Sequence, residues 1–414
     1  MEKPRVLFLQ GLASPFYNRV AKHLVANGCY VTCMSFCIGD RLFWWGPNPV
    51  NYRGRFEDWG DYVGHFLEQQ GITDILLIGE QRTYHKVAIR EALARGVRVN
   101  VTDGGYLRPD WVILERDGTN AGSHFPRDPA RIREMAKGLP KADLTEKYPD
   151  GFWAMAIYDM IYHFMLWFWW FLYPHYKRSY RRDNPFIHYP AAGLRLLKRR
   201  RREKAANLVF DALKKRGNPF FLFPLQMEHD FSIVAYSPFD DLETPVEQVI
   251  RSFAKNAMPE AELLVKLHPL DTGVKNWEAI VMALAAKHGV AERVLFVDGG
   301  DLGTMIRGAE GVVTINSTVG IHAIQAGCPV ITMGEAIYNV EGLASGGEMD
   351  AFWRSPQKPD AELVQDWVNL MAASVHVRGR YYTDPGLNAA ATETAERILQ
   401  DKVGKVFDRD SLKL

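Results

Sequence analysis

Two short stretches of the sequence carry side chains that could hold a phosphate group. The first is His268-Pro269, which follows the apolar run 263–267. The second is Asn316-Ser317-Thr318-x-Gly320, which follows the β-branched run 312–315. Serine and threonine are good caps for a helix, and the free N–H groups at a helix start attract anions. A histidine and two hydroxyl groups at such places could bind a phosphate and stabilise it as it leaves.

Both stretches are predicted to follow strands of a parallel sheet. Because proline cannot continue an inner strand, His268 should stand at the carboxyl end of its strand. In an open parallel sheet, ligands bind at that edge. Each stretch also has a simpler interpretation, namely a structural histidine in the first and an ordinary capped strand-to-helix turn in the second. The residues alone leave both interpretations open.

Two aspartates follow predicted strands and are candidates for catalysis. Asp103 comes after the strand 97–102 and is followed by two glycines and then by Arg108. Asp230 closes a Gln226-x-x-x-Asp230 pattern after the short apolar strand 219–224. An acid at the end of a strand is well placed for proton transfer or nucleophilic attack. The alternatives are a turn-capping role for Asp103 and a surface-loop acid at Asp230.

The first predicted strand, 5–10, leads into a loop that contains Gly11 and Ser14. A strand, a loop of small residues and a helix are typical of a Rossmann-like unit. The GxGxxG fingerprint is missing, so a dinucleotide is not implied. Gly11 and Ser14 could let the backbone approach a ligand, or they could simply form a tight turn.

Strands and helices alternate along most of the chain, which predicts an α/β fold. A length of 414 residues suggests two or three domains. The predicted divisions are a Rossmann-like domain over 1–150, a helical segment over 151–204, a second Rossmann-like domain over 205–385 and a C-terminal helix within 386–414.

The helical segment is rich in aromatic and basic residues. Eleven of the 22 residues of 152–173 are Phe, Trp or Tyr, and the unbroken basic run 198–202 follows. Asp159 and His163 interrupt the apolar pattern. Three interpretations stay open: a buried core helix, a helix in the membrane interface with its basic cluster on anionic headgroups, and a transmembrane span. The basic cluster favours the membrane interface.

Composition narrows the class of protein further. The formal net charge is +1, so no nucleic-acid partner is predicted. Cys29, Cys33 and Cys37 are evenly spaced, but no histidine is close by, so a buried strand face is favoured over a metal site. Free thiols and an N-terminus without a signal-peptide pattern predict a cytoplasmic protein.

Taken together, these motifs resemble those of the bacterial capsular polysaccharide Kdo transferases of the KpsS (LipB) and KpsC type. The resemblance rests on Gln10-Gly11-Leu12-Ala13-Ser14-Pro15-Phe16, Asp103-Gly104-Gly105-Tyr106-Leu107-Arg108-Pro109, Gln226-x-x-x-Asp230, His268-Pro269 and Asn316-Ser317-Thr318-x-Gly320. It implies the glycosyltransferase-B architecture, in which two Rossmann-like domains face each other across a cleft. The first domain would serve the acceptor, the second would bind the CMP-sugar, and the C-terminal helix often crosses back.

The resemblance also implies roles for individual residues. Asp230 would be the nucleophile, although His229 stands where the KpsC branch commonly has glycine, and Asp103 would be the acid/base. Gly11, Ser14 and Arg108 would lie on the acceptor side or in the cleft. The implied donor-binding residues are Gln226, His268, Pro269, Asn316, Ser317, Thr318 and Gly320.

The implied reaction is the transfer of β-linked Kdo from CMP-Kdo to a phosphatidylglycerol-type lipid, which starts the poly-Kdo linker of a capsular polysaccharide. No cofactor and no metal would be needed. The implied partners are the inner-membrane surface and other proteins of capsule biosynthesis and export, which would place the protein at the periphery of that membrane. Two alternatives stay open: a non-catalytic nucleotide- or polysaccharide-binding protein of capsule export, and a UDP-sugar epimerase of the same fold.

Overall fold

A computed structural model describes residues 3–149, 151–178, 184–227 and 231–409. The chain divides into two compact units. Unit 1 comprises Met1–Phe125, Gly138–Arg181 and Val368–Leu414, and unit 2 comprises Pro126–Lys137 and Arg182–Trp367. This division differs from the predicted boundaries, because the aromatic segment falls in unit 1, the basic run falls in unit 2, and the chain re-enters unit 1 at Val368.

The strands of the described residues are, in chain order, β1 (Arg5–Phe8), β2 (Tyr30–Ser35), β3 (Pro49–Asn51), β4 (Asp74–Ile78), β5 (Arg98–Gly104), β6 (Trp111–Arg116), β7 (Phe220–Pro224), β8 (Glu262–Lys266), β9 (Val294–Val297), β10 (Gly311–Thr314), β11 (Val330–Thr332) and β12 (His376–Arg378).

The helices are α1 (Phe16–Ala26), α2 (Ile38–Leu42), α3 (Trp59–Gln69), α4 (Thr83–Leu93), α5 (Pro129–Ala136), α6 (Phe152–Phe168), α7 (Pro185–Leu197), α8 (Arg199–Arg216), α9 (Phe231–Tyr236), α10 (Glu243–Asn256), α11 (Trp277–Lys287), α12 (Leu302–Gly308), α13 (Val319–Gln325), α14 (Met349–Phe352), α15 (Ala361–Ser374) and α16 (Gly386–Leu399).

Unit 1 is built on a sheet with the strand order β12-β6-β5-β4-β1-β2-β3. Every residue of β4 is buried, which is typical of a parallel strand covered on both faces. Helices α1 and α16 cover one face, where Val20 and Leu24 pack with Ala391. Helices α3 and α4 cover the other face. The predicted α/β class is confirmed for this unit.

The sheet of unit 1 is not wholly parallel, although alternating strands and helices are typical of a parallel sheet. Strand β6 runs antiparallel to β5, and β12 runs antiparallel to β6. Strand β12 comes from the C-terminal part of the chain, so this edge of the sheet combines distant segments. Strands β5 and β6 follow each other in the chain without a crossover helix, and two such strands can only pair in an antiparallel way.

Unit 2 is built on a parallel sheet with the strand order β11-β10-β7-β8-β9. The apolar strand β7 lies at the centre and is buried throughout. Helices α10 and α11 pack on one face through residues such as Val249 and Val281. Because β7 lies between β8 and β10, the loops that follow these three strands adjoin at one edge of the sheet.

The aromatic helix α6 has 17 residues and is shorter than the predicted segment 152–173. Within the part of the chain that the structure describes, no helix is long and apolar enough to cross a membrane. One face of α6 packs on α2, with Leu166 buried and the ring of Tyr158 against Phe43. The opposite face leaves Trp153 and Ile157 exposed. The helix is therefore a core element on one side and an exposed apolar surface on the other.

Candidate functional site

The carboxyl edge of the unit 2 sheet brings together most of the predicted donor-binding residues. Gln226 follows β7, His268 follows β8 and Asn316 follows β10. These strands are parallel neighbours in the sheet, so their loops emerge side by side. The predicted nucleophile, Asp230, lies outside the described residues.

Gln226 and Asn316 are buried and form hydrogen bonds that connect the loops following β7 and β10. Gln226 Nε2 donates to Asn316 Oδ1 at 3.0 Å, and the backbone N–H of Asn316 donates to Gln226 Oε1 at 3.1 Å. Ser232 Oγ donates to the same Asn316 Oδ1 at 3.0 Å, and Asn316 Nδ2 donates to the Ser232 carbonyl at 2.6 Å. Both amide groups are thus used inside the protein, and they brace the turn that starts at Ser317.

Ser317 and Thr318 form a half-buried turn before α13. The N–H of Val319 donates to Ser317 Oγ at 3.2 Å, and the N–H of Ser317 donates to Thr314 Oγ1 at 3.2 Å. Helix α13 has only seven residues, so its dipole adds little. The hydroxyl groups of the turn are therefore the stronger candidates for contacting an anion.

The structure explains why glycine occupies position 320, which the sequence did not indicate. A Cβ atom at this position would lie 2.4 Å from Tyr338 Oη and 2.5 Å from its Cζ. Tyr338 is buried, and its hydroxyl donates to the Ser317 carbonyl at 2.6 Å. Tyr338 therefore stabilises the turn through this hydrogen bond. Glycine at position 320 leaves room for the Tyr338 ring.

This packing makes a prediction about stability. Gly320→Ala should lower the free energy of unfolding by about 1–3 kcal/mol, the usual cost of overpacking a core. Shortening the clashing side chain with Tyr338→Leu should recover part of that loss in the double variant. Urea unfolding of the four proteins of this cycle measures the coupling. A Gly320→Ala variant that unfolds like the wild type but no longer binds CMP would contradict the packing explanation.

His268 is half-buried just beyond the end of β8. The N–H of Leu270 donates to His268 Nδ1 at 3.1 Å. Since Nδ1 accepts this bond, the proton of the neutral ring lies on Nε2, which makes Nε2 a hydrogen-bond donor. The exposed Pro269 follows directly. The geometry suits a histidine that donates to an oxyanion.

In unit 1, the predicted acid/base Asp103 lies near the end of β5. Its side chain is half-buried, and Oδ1 accepts from the N–H of Gly104 at 2.7 Å. The hydroxyl of Tyr381, from the C-terminal segment, donates to the Asp103 carbonyl at 2.7 Å. The exposed Arg108 returns toward this loop, with Nη2 3.7 Å from where a Cβ of Gly104 would stand.

Ser14 and Gly11, which were predicted to lie on the acceptor side or in the cleft, make contacts within unit 1. The buried Ser14 hydroxyl donates to the Tyr381 carbonyl at 2.6 Å and accepts from the N–H of Phe16 at 3.0 Å. A Cβ at Gly11 would lie 2.7 Å from the ring of Tyr17. Ser14 thus links the start of α1 to the C-terminal segment, and the absence of a side chain at Gly11 leaves room for the ring of Tyr17.

A polar network beyond the carboxyl end of β1, in unit 1, was not predicted from the sequence. Gln10 Nε2 donates to Asp40 Oδ1 at 3.0 Å and to the hydroxyls of Tyr162 and Tyr176. The Tyr162 hydroxyl donates to Asp40 Oδ1 at 2.8 Å, and burial raises the pKa of the Asp40 carboxyl. The network ties α6 to the edge of the sheet. The only sequence signal was Gln10 at the end of its strand.

The described residues contain no group of three or more His, Cys, Asp or Glu side chains that could hold a metal ion. The cysteines Cys29, Cys33, Cys37 and Cys328 are free and buried. Burial raises the pKa values of Cys33 and Cys37 well above their usual range. Both thiols are therefore inert at neutral pH.

Fold and site together define an α/β protein of two Rossmann-like units, one of which gathers polar side chains at the ligand-binding edge of its sheet. The chain belongs to the capsule polysaccharide biosynthesis protein family, whose model matches residues 73–382.

Two relatives span nearly the whole chain. The capsule polysaccharide export protein KpsS of Escherichia coli is 29% identical over 382 residues, which cover 91% of this chain and 97% of the relative. The capsule polysaccharide modification protein LipB of Neisseria meningitidis serogroup A is 27% identical over 414 residues, with 94% and 95% covered. Among solved structures, the Thermosulfurimonas dismutans KpsC β-Kdo 2,7 transferase matches with a TM-score of 0.47, 15% identity and coverage of 96% and 99%. At this similarity the solved structure assigns no activity to the chain.

Proposed function

We propose that the protein is a retaining glycosyltransferase that moves Kdo from CMP-Kdo to a phosphatidylglycerol-type lipid and so starts the linker of a capsular polysaccharide. The observation that carries the proposal is the edge of unit 2, where His268 and the Ser317 turn follow the two strands that flank β7. Membership of the capsule polysaccharide biosynthesis family and the resemblance of the motifs support it.

The proposed chemistry proceeds in two displacements. The Asp230 carboxylate attacks the anomeric carbon of Kdo, and the bond to the CMP phosphate breaks. His268 Nε2–H and the Ser317 and Thr318 hydroxyls stabilise the charge on the departing phosphate. The acceptor hydroxyl then attacks the same carbon, gives its proton to a general base and releases the Asp230 carboxylate. Two inversions retain the configuration.

The direct test is incubation of the purified chain with CMP-Kdo and a fluorescent phosphatidylglycerol analogue, followed by mass analysis of the lipid. The expected product is heavier by one Kdo residue. CMP binding without product would favour the non-catalytic alternative. Turnover of UDP-N-acetylglucosamine in place of CMP-Kdo would favour the epimerase alternative.

A lipid acceptor requires contact with a membrane, and each unit has a surface that suits one. In unit 1, the exposed face of α6 continues into exposed Trp170 and Phe171. In unit 2, α7 exposes Leu194 and Leu197, the latter by 84%. The first turn of α8 adds exposed arginines to this second surface. Apolar side chains next to basic ones are the composition of an interfacial helix on anionic lipid.

This surface makes a prediction about vesicle binding. The double variant Arg200→Glu/Arg201→Glu should weaken binding to phosphatidylglycerol vesicles by about tenfold or more, since each basic residue near an anionic surface contributes roughly 1 kcal/mol. Arg202 is left unchanged because it pairs with Asp298. Co-sedimentation in low and high salt measures the effect, and binding should fall as salt rises.

The matched control is Lys214→Glu/Lys215→Glu, which changes the net charge equally at the other end of α8. Its vesicle binding should stay within about twofold of the wild type. An equal loss in both double variants would show a net-charge effect and contradict a membrane surface at the start of α8.

A further inference from the structure

Unit 2 places three cationic side chains near the half-buried carboxylate of Asp298. Asp298 directly follows β9, and its Oδ1 accepts from Arg195 Nη2 at 2.7 Å and from Arg202 Nη1 at 2.6 Å. Arg202 Nη2 also donates to the Arg195 carbonyl at 3.0 Å, which holds the two arginines together. The third cation, Lys266, is the last residue of β8, and it pairs in the sheet with Val297, the neighbour of Asp298.

Lys266 is largely buried and makes no ion pair with the described residues. Only 6% of the residue is exposed, and its Nζ has no hydrogen bond or ion pair within the part of the chain that the structure describes. Burial lowers the pKa of Lys266, and the negative charges of Asp298 and Asp301 oppose that shift. A largely buried lysine that makes no ion pair is available to bind an anion.

The two arginines add donors that are also unused. The Nε atoms of Arg195 and Arg202 are buried and have no hydrogen-bond partner. The acidic groups close to Lys266 are Asp298, which already accepts from both arginines, and Asp301, which is exposed and caps α12. Three cations against these two carboxylates leave the cluster with an excess of positive charge.

We propose that Lys266, Arg195 and Arg202 form a phosphate-binding site beside Asp298. Lysine and arginine are the side chains that bind phosphate oxygens through charge-assisted hydrogen bonds. The site extends the edge that carries His268 toward α7 and α8, the helices with the exposed apolar and basic side chains.

Two sources of phosphate fit this position, and naming them rests on the proposed function. One is the CMP group of the donor, because Lys266 precedes His268 by two residues on the same strand end. The other is the phosphodiester of an anionic lipid headgroup, because Arg195 adjoins the exposed Leu194 on α7. The phosphate site itself needs neither source, since inorganic phosphate probes it directly.

The test measures binding of inorganic phosphate, CMP and glycerophosphoglycerol to the full chain by calorimetry. Lys266→Met removes the charge and keeps the length of the side chain. It should weaken phosphate binding by about tenfold or more, the scale for one charge-assisted hydrogen bond. A larger loss for CMP than for glycerophosphoglycerol assigns the site to the donor, and the reverse assigns it to the lipid.

The matched control is Lys287→Met, which removes an exposed lysine of α11 that pairs with Glu247. It should leave the affinity for all three probes unchanged. Asp298→Asn keeps the shape of the acceptor but removes its charge, so it should tighten phosphate binding several-fold. Unchanged binding in Lys266→Met, or an equal loss in Lys266→Met and Asp298→Asn, would overturn the site. Because phosphate binding is measured without sugar transfer, its failure is distinguishable from failure of the proposed reaction.

Discussion

Asp230→Ala should reduce Kdo transfer by about a thousandfold or more and leave the affinity for CMP within about twofold of the wild type. Removing the nucleophile of a double displacement abolishes the covalent step, and losses of this size or larger follow. The phosphate of CMP is proposed to contact other loops, those of His268 and Ser317. Mass analysis of the lipid product and calorimetry with CMP measure the two quantities separately.

The same residue should carry a covalent intermediate. Intact-mass spectrometry of the wild type with CMP-Kdo and no acceptor should show a gain of one Kdo residue, and digestion should map it to the peptide that contains 226–230. Asp230→Asn should show no rapid gain. Asp240→Ala, which changes an exposed aspartate of the same unit, should behave like the wild type. An adduct on another residue, or full activity in Asp230→Ala, would refute the assignment.

His268→Ala and Ser317→Ala should each lower kcat by about a hundredfold, the scale for losing one donor to a developing negative charge. The bond from the Leu270 N–H to His268 Nδ1 leaves Nε2 as the donor in the neutral ring. The Ser317 hydroxyl lies on a turn that Tyr338 supports. Since these contacts strengthen as the phosphate leaves, kcat should fall far more than KM changes.

His288→Ala serves as the control for this prediction. His288 belongs to the same unit, is half-buried and lies 3.1 Å from a Glu247 oxygen on another part of the surface. Its replacement should leave kcat unchanged. Near-normal transfer by both His268→Ala and Ser317→Ala would contradict the role of this edge in holding the leaving group.

The hydrogen bonds between Gln226 and Asn316 are an example of a contact that the sequence did not predict. The resemblance implied that Gln226 and Asn316 bind the donor. In the structure they bond to each other, although 90 residues separate them in the chain. Their pairing depends on β7 and β10 being neighbours in the sheet, and strand order is not encoded in any local pattern. Lys266 was missed for the same reason, because a lysine at a strand end looks solvated until the packing around it is known.

The aromatic helix is a second example. Its length and composition left three interpretations open, namely a core helix, an interfacial helix and a transmembrane span, and the neighbouring basic run favoured the interfacial helix. The structure buries one face through Tyr162, which bonds Gln10 across 152 residues, and leaves the other face exposed. The face of α6 that packs on the rest of unit 1 is therefore determined by contacts with residues far away in the chain, such as Gln10.

By itself, the sequence determined the α/β class, most strands and helices, and the polar stretches at His268 and Ser317, because hydrophobic periodicity and the prolines and glycines that end elements act within a few residues. Only the tertiary structure decided that β12 joins the sheet of unit 1, that β6 and β12 run antiparallel to their neighbours, and that Tyr338 explains Gly320. It also decided which cations surround Asp298. These features are contacts between residues far apart in the chain, and their free energies are set by packing and strand order rather than by local propensity.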